Sequence, residues 1–493
     1  MSDIGIIGPA IVLGWLLCGS YTVGYLENRA SRERIPDWLF PWLELLALFL
    51  GPAILLPVWV DTALLNGITG WWKEAKDKRF YVTIIDARGQ EMYSVPGNGR
   101  DASDDAVREL KKIMHEALRQ SASDIFIDPH GSGVEAVRFR VDGALREHRV
   151  LDMSLGENII NVVKVVSGMD IAEKRRPQDG SFSIKSDLGP ASLRVASVGA
   201  FGGEKIAIRM LGSSAGPLSL EDAGLYDKNL QLMRNAVRLP SGMVLICGPT
   251  GSGKTTTLYA LLKAIDYSMK NVISIEDPIE HIMENVSQME VNAKADISFG
   301  KLLRNSLRQN PDIICLGEIR DEETAQVAVH AAQTGHLIIA TVHSNDNVGT
   351  VDRLVNLGVP LRSVAGVLQL IVSQRLVRKL CDCAEPAKPS PELQEYLTRA
   401  GLPTDRLRRP KGCKKCGDTG YSGRIALFDI MVMTNRLREV FEDEHATIGT
   451  IKTEIENEHG SSIIAYEGYK LVAAGITSAE EVERVTFDME HSF

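Results

Sequence analysis

The chain has 493 residues, enough for about three domains with cores of their own. Its 55 basic and 64 acidic residues give a net charge of −9, which argues against a general nucleic-acid coat. Seven cysteines in a chain of this length exclude a secreted disulfide scaffold, and 44% hydrophobic with 24% charged residues excludes wholesale disorder.

All six tryptophans lie within the first 72 residues, at positions 15, 38, 42, 59, 71 and 72. Ile4 to Leu26 carries no charge and, as a helix, would be about 34 Å long, enough for a hydrocarbon core. Trp38 to Val60 has Glu44 as its one charge and is interrupted by Pro41, Pro52 and Pro57. The tryptophans fall near the ends of these stretches, where amphipathic rings favour the headgroup layer. Residues 1–72 therefore read as a membrane-associated segment in contact with lipid. A cleaved signal peptide fits poorly, because no basic region precedes the run. Arg29, Arg32 and Arg34 between the stretches ask for the same side as Lys73, Lys76, Lys78 and Arg79. Two full spans cannot satisfy both groups, so the number of spans and the orientation stay open.

Residues 73–100 read as a linker holding a short strand pair. Val107, Leu110, Ile113, Met114, Ala117 and Leu118 recur at helical spacing and predict an amphipathic helix over 103–120. Alternating strands follow around Ile125–Ile127, Val137–Val141, Phe182–Ile184, Leu193–Val195 and Ile206–Ile208, with turns at Asp142-Gly143 and Asp179-Gly180. Together these predict a small α+β domain over 101–212.

A buried-type strand, Met243 to Cys247, runs into Gly248-Pro249-Thr250-Gly251-Ser252-Gly253-Lys254-Thr255, a full GxxxxGK[ST] pattern, then Thr256 and a helical pattern. Glycines let backbone N–H groups wrap phosphate oxygens, and the helix N-terminus adds partial positive charge. Lys254 suits the β- and γ-phosphates of ATP, and the Thr255 hydroxyl suits Mg²⁺. Downstream, Asn271–Ile275 ends in Glu276, Asp277 and Glu280, and Ile313–Leu316 ends in Gly317-Glu318. Ligands of parallel sheets sit at the carboxyl ends of strands, so these acids are expected to face the phosphates, orient water and support the metal. His336 and His343 bracket a fourth strand, Leu337 to Val342, and either could sense the γ-phosphate.

Cys381-x-Cys383 and Cys413-x-x-Cys416, 29 residues apart, suit a closed tetrahedral Zn²⁺ site. Four reduced structural cysteines or a redox pair are the alternatives. The first pair is CxC rather than CxxC, a spacing expected to strain the chelate loop. The Lys174-Arg175-Arg176 run lacks aromatic interleaving and gives no ground for a nucleic-acid partner. The region from about 431 onward reads as helical and charged.

These motifs resemble the type II secretion and type IV pilus assembly ATPase family, the general secretion pathway protein E-like ATPases. The resemblance is carried in order by SDIFIDP (123–129), VRFRVDGALRE (137–147), DIAEKRRPQDGSF (170–182), GEKIAIRML (203–211), CGPTGSGKTTT (247–257), ISIEDPIE (273–280), LRNSLRQNPDIICLGEIRDEETA (303–325), AAQTGHLIIATVHSND (331–346), QRLVRKLC (374–381) and GYSGRIALFDI (420–430). It implies a RecA-like P-loop ATPase core over 213–380, preceded by the small α+β domain. A tetracysteine module over 381–416 and a C-terminal helical region over 417–493 would follow. It also implies that Glu276, Asp277 and Glu280 act around metal and water, that Glu318 is the catalytic carboxylate of an atypical Walker B strand, and that His336 and His343 form a His box. Arg194 and Arg209 match arginines that the family directs at the nucleotide.

The implied activity is protein-secreting ATP hydrolysis by a hexameric ring. It would act on an inner-membrane platform protein, with the ATPase domains on the cytoplasmic side, and power assembly of a secretion pseudopilus or type IV pilus. Retraction motors of the family generally lack the cysteine module. A DNA-uptake or retraction motor, and a weakly hydrolysing regulatory scaffold that binds a nucleotide, are the other readings. Family members are typically soluble, so the N-terminal hydrophobic segment is a departure.

Overall fold

The computed structural model describes residues 82–92, 102–130, 133–211, 219–292, 295–459 and 463–486. The hydrophobic stretches at 4–26 and 38–60 lie outside the described residues. Among the described residues no helix is long and apolar enough to cross a membrane.

Alternation builds the first layer. Along Gly189–Ala200, Leu193 and Val195 are buried while Arg194 and Ala196 are exposed, the period-two pattern of a sheet packed on one face. Eight strands share this sheet: β1 (Val82–Ile85), β2 (Glu91–Met92), β3 (Ala122–His130), β4 (Val134–Val141), β5 (Ala144–Asp152), β6 (Gln178–Ser186), β7 (Gly189–Ala200) and β8 (Gly203–Leu211). Their order is β2-β1-β6-β7-β8-β3-β4-β5, and every neighbouring pair is antiparallel. The pair β1–β2 lies within the stretch read from sequence as a linker, and it extends the edge of this sheet. Helices α1 (Ala102–Arg119) and α2 (Met153–Val166) contribute Leu110, Ile113, Met114, Ile159 and Val163 to a core shared with Ile125, Phe139, Leu193 and Ile208. The opposite face is left polar. The β4–β5 turn is Asp142-Gly143, both at positive φ (51° and 81°), as a two-residue hairpin requires.

The second layer is a mostly parallel sheet. Its strands are β9 (Gly242–Cys247), β10 (Val272–Glu276), β11 (Ser287–Glu290), β12 (Ile313–Leu316), β13 (Leu337–Val342), β14 (Leu368–Leu380) and β17 (Tyr421–Val432), in the order β11-β10-β12-β13-β9-β14-β17. Only β17 runs antiparallel, against β14. Strands β9, β12 and β13 are buried at every residue, because helices cover both faces; continuous apolar runs are what such strands require. One core fills each face: Leu245, Ile314 and Ile338 belong to one, and Val244, Ile339 and Leu261 to the other. A two-stranded ribbon, β15 (Glu385–Pro386) with β16 (Arg408–Arg409), is inserted between β14 and β17.

Candidate nucleotide site and tetracysteine cluster

The carboxyl ends of β9, β10, β12 and β13 come together at one edge of the parallel sheet. After β9, Gly248 has φ 148°, and a Cβ there would lie 2.5 Å from the Gln374 carbonyl. Gly253, at φ 89°, caps helix α3 (Lys254–Lys263), and a Cβ there would meet Gln374 Nε2 at 2.8 Å. The loop lies so close to β14 that glycine is required at both positions. Lys254 is buried, and its Nζ donates to the carbonyls of Gly248 (2.8 Å) and Pro249 (3.1 Å). Burial pulls the ammonium below its usual range, with Arg375 acting in the same sense and Cys247 and Glu318 opposing. Ser252 is buried, Thr255 half-buried, and Pro249, Thr250, Gly251 and Thr256 are exposed.

Glu318 follows β12 and is 8% exposed. Gly317, just before it, donates to Ile275 O at 2.8 Å, and a Cβ there would press on that carbonyl at 3.3 Å. A glycine at this place lets the Glu318 strand end lie flush against β10. The Glu318 Oε1 pairs with Arg320, whose other terminal nitrogen is 3.8 Å from Asp277. Glu318 Oε2 is buried without a hydrogen-bond partner, 3.4 Å from His343 Nε2 but not in bonding geometry. Burial, with Lys254, Arg320 and Arg353 nearby, outweighs Glu318 and holds the His343 imidazole below its usual pKa. Arg194 of β7 reaches across from the first sheet, its Nη2 3.4 Å from Asp277 Oδ1. Arg209 lies near enough, with Arg194, to favour the charged form of Glu280, although burial and Glu276 raise that carboxyl overall.

Two of the expected residues are not brought to this cluster. Glu276 points into the protein: it accepts from the Tyr259 hydroxyl, from Ser274 Oγ (2.6 Å) and from Gln288 Nε2 (3.0 Å), and is 4% exposed. The same Tyr259 oxygen accepts the N–H groups of Glu280 (3.2 Å) and His281 (3.1 Å), so Glu276 braces the acidic loop from behind rather than facing phosphate. His336 precedes β13, and its Nδ1 is 2.9 Å from Ala331 O. It sits at the amino end of the strand that carries His343 at its carboxyl end, about 20 Å away. The reason is directional: residues before a parallel strand lie at the edge away from the site.

The sequence reading missed three contributors. Arg320 links Glu318 to Asp277. Gln374 is buried behind the P-loop and accepts from Thr257 Oγ1 at 2.8 Å. Arg375 donates to Asn345 O at 2.6 Å beside the loop. The signal for Arg320 was its position two residues after an acidic strand end. Nothing local marks Gln374 or Arg375, which arrive because β14 pairs with β9.

The cysteines converge at the far end of β14. Leu380 pairs with Tyr421, and Cys381 N donates to Gly420 O at 2.8 Å, so the β14–β17 ladder brings Cys381 to the loop that holds Cys413 and Cys416. The sulfurs of Cys381, Cys383, Cys413 and Cys416 all lie within 4.8 Å of one another, with separations of 3.7, 3.9 and 4.0 Å for three pairs. Tetrahedral thiolate ligation at about 2.3 Å from a zinc ion places sulfurs about 3.8 Å apart, so the set fits and the CxC spacing does not prevent convergence. Burial opposes the Cys416 thiolate, but the N–H groups of Gly420 and Cys413 and the neighbouring thiols overcome it and bring its pKa to about 6. The β4–β5 turn docks here: Arg146 donates to Cys416 O and Thr419 Oγ1 (both 3.3 Å), and Asp142 accepts from Gly423 N at 3.0 Å.

Residues 100–484 match the family described as Type II/IV secretion system protein. The chain belongs to that family. This family member is 38% identical over 389 residues to the type II secretion system protein E of Pseudomonas aeruginosa, covering 78% of this chain and 77% of that one. It is 39% identical over 384 residues to the type IV pilus assembly ATPase PilB of Thermus thermophilus, covering 76% of this chain and 42% of that longer protein. Among solved structures, the pilus retraction motor PilT with bound ADP aligns with a TM-score of 0.52 at 25% identity, over 77% of this chain and 97% of PilT. The α/β ATPase fold expected from the sequence is thereby shown for this family member.

Proposed function

We propose that this chain is an ATP-hydrolysing motor that powers assembly of a type II secretion pseudopilus or type IV pilus. One observation carries the reading: a P-loop lysine and a buried carboxylate oxygen with no hydrogen-bond partner meet at one sheet edge, while Arg194 closes on that edge from a separate sheet. In hydrolysis, Lys254 exchanges its bonds to Gly248 and Pro249 for phosphate oxygens. Glu318 Oε2 orients the attacking water and takes its proton, while Arg320 fixes the other oxygen. Thr255 and Asp277 would hold Mg²⁺, which supplies charge neutralisation for the phosphates. Arg194 and Arg209 neutralise charge that develops on the transferred group. A guanidinium delivered by a second lobe makes hydrolysis sensitive to lobe position, which is how chemistry becomes movement.

The remaining parts of the reading follow. Residues 101–212 serve as the arginine-bearing lobe and 213–380 as the nucleotide core. Cys381, Cys383, Cys413 and Cys416 hold a structural zinc ion, a module that favours assembly over retraction. Six copies form a ring on an inner-membrane platform protein, and residues 1–72 attach the chain to that membrane, with the ATPase domains on its cytoplasmic side.

Steady-state ATPase assays of the wild type, Lys254→Ala and Glu318→Gln test the enzymatic core. Both variants are expected to lose nearly all turnover, with nucleotide binding retained in Glu318→Gln. Equal rates for the wild type and Glu318→Gln would point instead to a regulatory scaffold. Deleting residues 1–72 and fractionating cells tests self-anchoring; a truncated chain that still pellets with membranes would refute it.

A further inference from the structure

Ser181, Arg194, Arg209, Asp124 and Arg140 are successive cross-strand partners on β6, β7, β8, β3 and β4. Register partners in antiparallel strands point to the same face, and all five line one open cavity of about 610 Å³. Three guanidinium groups thus stand in a row on the face from which Arg194 reaches Asp277. Within that row Asp124 sits between Arg209 and Arg140. It is 8% exposed, whereas the side chain of Arg209 is largely open to solvent and that of Arg140 is half-buried.

The bonding mode is selective. Asp124 Oδ1 accepts from Arg209 Nε at 3.0 Å. Its Oδ2 accepts from Ser123 Oγ at 2.8 Å and lies 3.4 Å from Arg140 Nε. The neighbouring pair on the same face behaves differently: Arg138 gives both Nε and Nη2 to one oxygen of Asp128, a closed ion pair. Binding through Nε alone leaves the Nη1/Nη2 edge of Arg209 free for a second, bidentate acceptor such as a phosphate. A buried, doubly anchored carboxylate also removes much of the rotamer freedom that a long exposed arginine would otherwise lose on engaging an anion.

We propose that Asp124 is a positioning residue for the ATPase reaction, fixing Arg209 through Nε so that its terminal nitrogens meet the transferred phosphoryl group. Asp124 touches no substrate and acts through Arg209. The inference rests on the reading above that Arg209 serves the nucleotide.

The test is a double-mutant cycle in the full chain. Asp124→Asn is expected to lower kcat about tenfold while changing KM for ATP less than about threefold, because the lost orientation matters in the transition state. Asp124→Glu, which keeps the charge, is expected to recover part of kcat. In an Arg209→Ala background, Asp124→Asn should cost nothing further. Thermal melting of each variant accompanies the cycle; should Asp124→Asn melt below the assay temperature, Asp124→Glu with and without Arg209→Ala supplies the same cycle. Wild-type kcat in Asp124→Asn, or a loss that adds fully to that of Arg209→Ala, would overturn the proposal. Arg209→Ala turning over at the wild-type rate would overturn it as well. Undiminished hydrolysis by Lys254→Ala would instead refute the ATPase reading itself, which keeps the two failures distinct.

Discussion

The guanidinium of Arg194 lies 3.4 Å from the carboxylate of Asp277, although Arg194 belongs to the first sheet and Asp277 to the loop that leaves β10 of the second. Both partners are partly solvated, so the pair contributes little to stability, about 0–1 kcal/mol. Under the proposed function its value lies in catalysis. Arg194→Ala is expected to reduce kcat by about 100-fold or more while the melting temperature moves by no more than about 2 °C. A large melting shift with unchanged kcat would make the contact purely structural.

Tyr259 is the hub behind the acidic loop. Its hydroxyl donates to Glu276 and receives two backbone N–H groups. Tyr259→Phe removes that oxygen and leaves three buried or half-buried polar groups short of a partner, at a cost of about 1–3 kcal/mol. Both the denaturation midpoint and kcat should fall. Retention of full turnover would show that the loop holds its shape without the hub.

Glu135 is 1% exposed, with neither carboxylate oxygen hydrogen-bonded. Burial, then the charges of Glu157 and Asp128, raise its pKa to about 7. The folded state therefore holds this proton more tightly than the unfolded state, whose carboxyl titrates near 4.5. Below pH 4.5 the residue is neutral in both states and the charge penalty is absent. As pH rises from 4.5 to 7 stability declines, and above 7 the full penalty applies, about 3 kcal/mol. Glu135→Gln is expected to raise the melting temperature at pH 8 and to leave it nearly unchanged at pH 4.5. Equal gains at both pH values would mean that charge is not the cause.

For the cysteine cluster, purified protein should carry about one zinc ion per chain, measured by elemental analysis. Cys416→Ser, or prolonged chelation, should remove it and lower the melting temperature by about 5–10 °C. A metal-free preparation with unchanged melting would identify four reduced thiols instead.

Much of the nucleotide edge was legible because it obeys a local rule. The P-loop, Asp277, Glu318 and His343 each follow an apolar strand, and strand direction alone brings them together. The same rule, applied strictly, would have excluded His336, which precedes its strand. Glu276 lies apart from the cluster for a different reason: its side chain turns inward at the end of β10, and only the fold supplies Tyr259, Ser274 and Gln288 to receive it. Gln374 and Arg375 were invisible because their proximity to the P-loop depends on a strand pairing more than 120 residues away in sequence. Nothing in its own segment marks Asp124, since its arginine partners come from strands β4 and β8.

The turn at Asp142 gives the cysteine loop a reach beyond its own neighbourhood. Strand β4 carries Arg140 into the arginine row and, two residues later, ends in the aspartate that grips Gly423, while Arg146 on the return strand holds the Cys416 carbonyl. The thiol knuckle is thus the bearing on which this hairpin rests. Wear at the bearing, such as oxidation of its thiols, would be transmitted along β4 to Arg140 and Asp124, at the end of the arginine row.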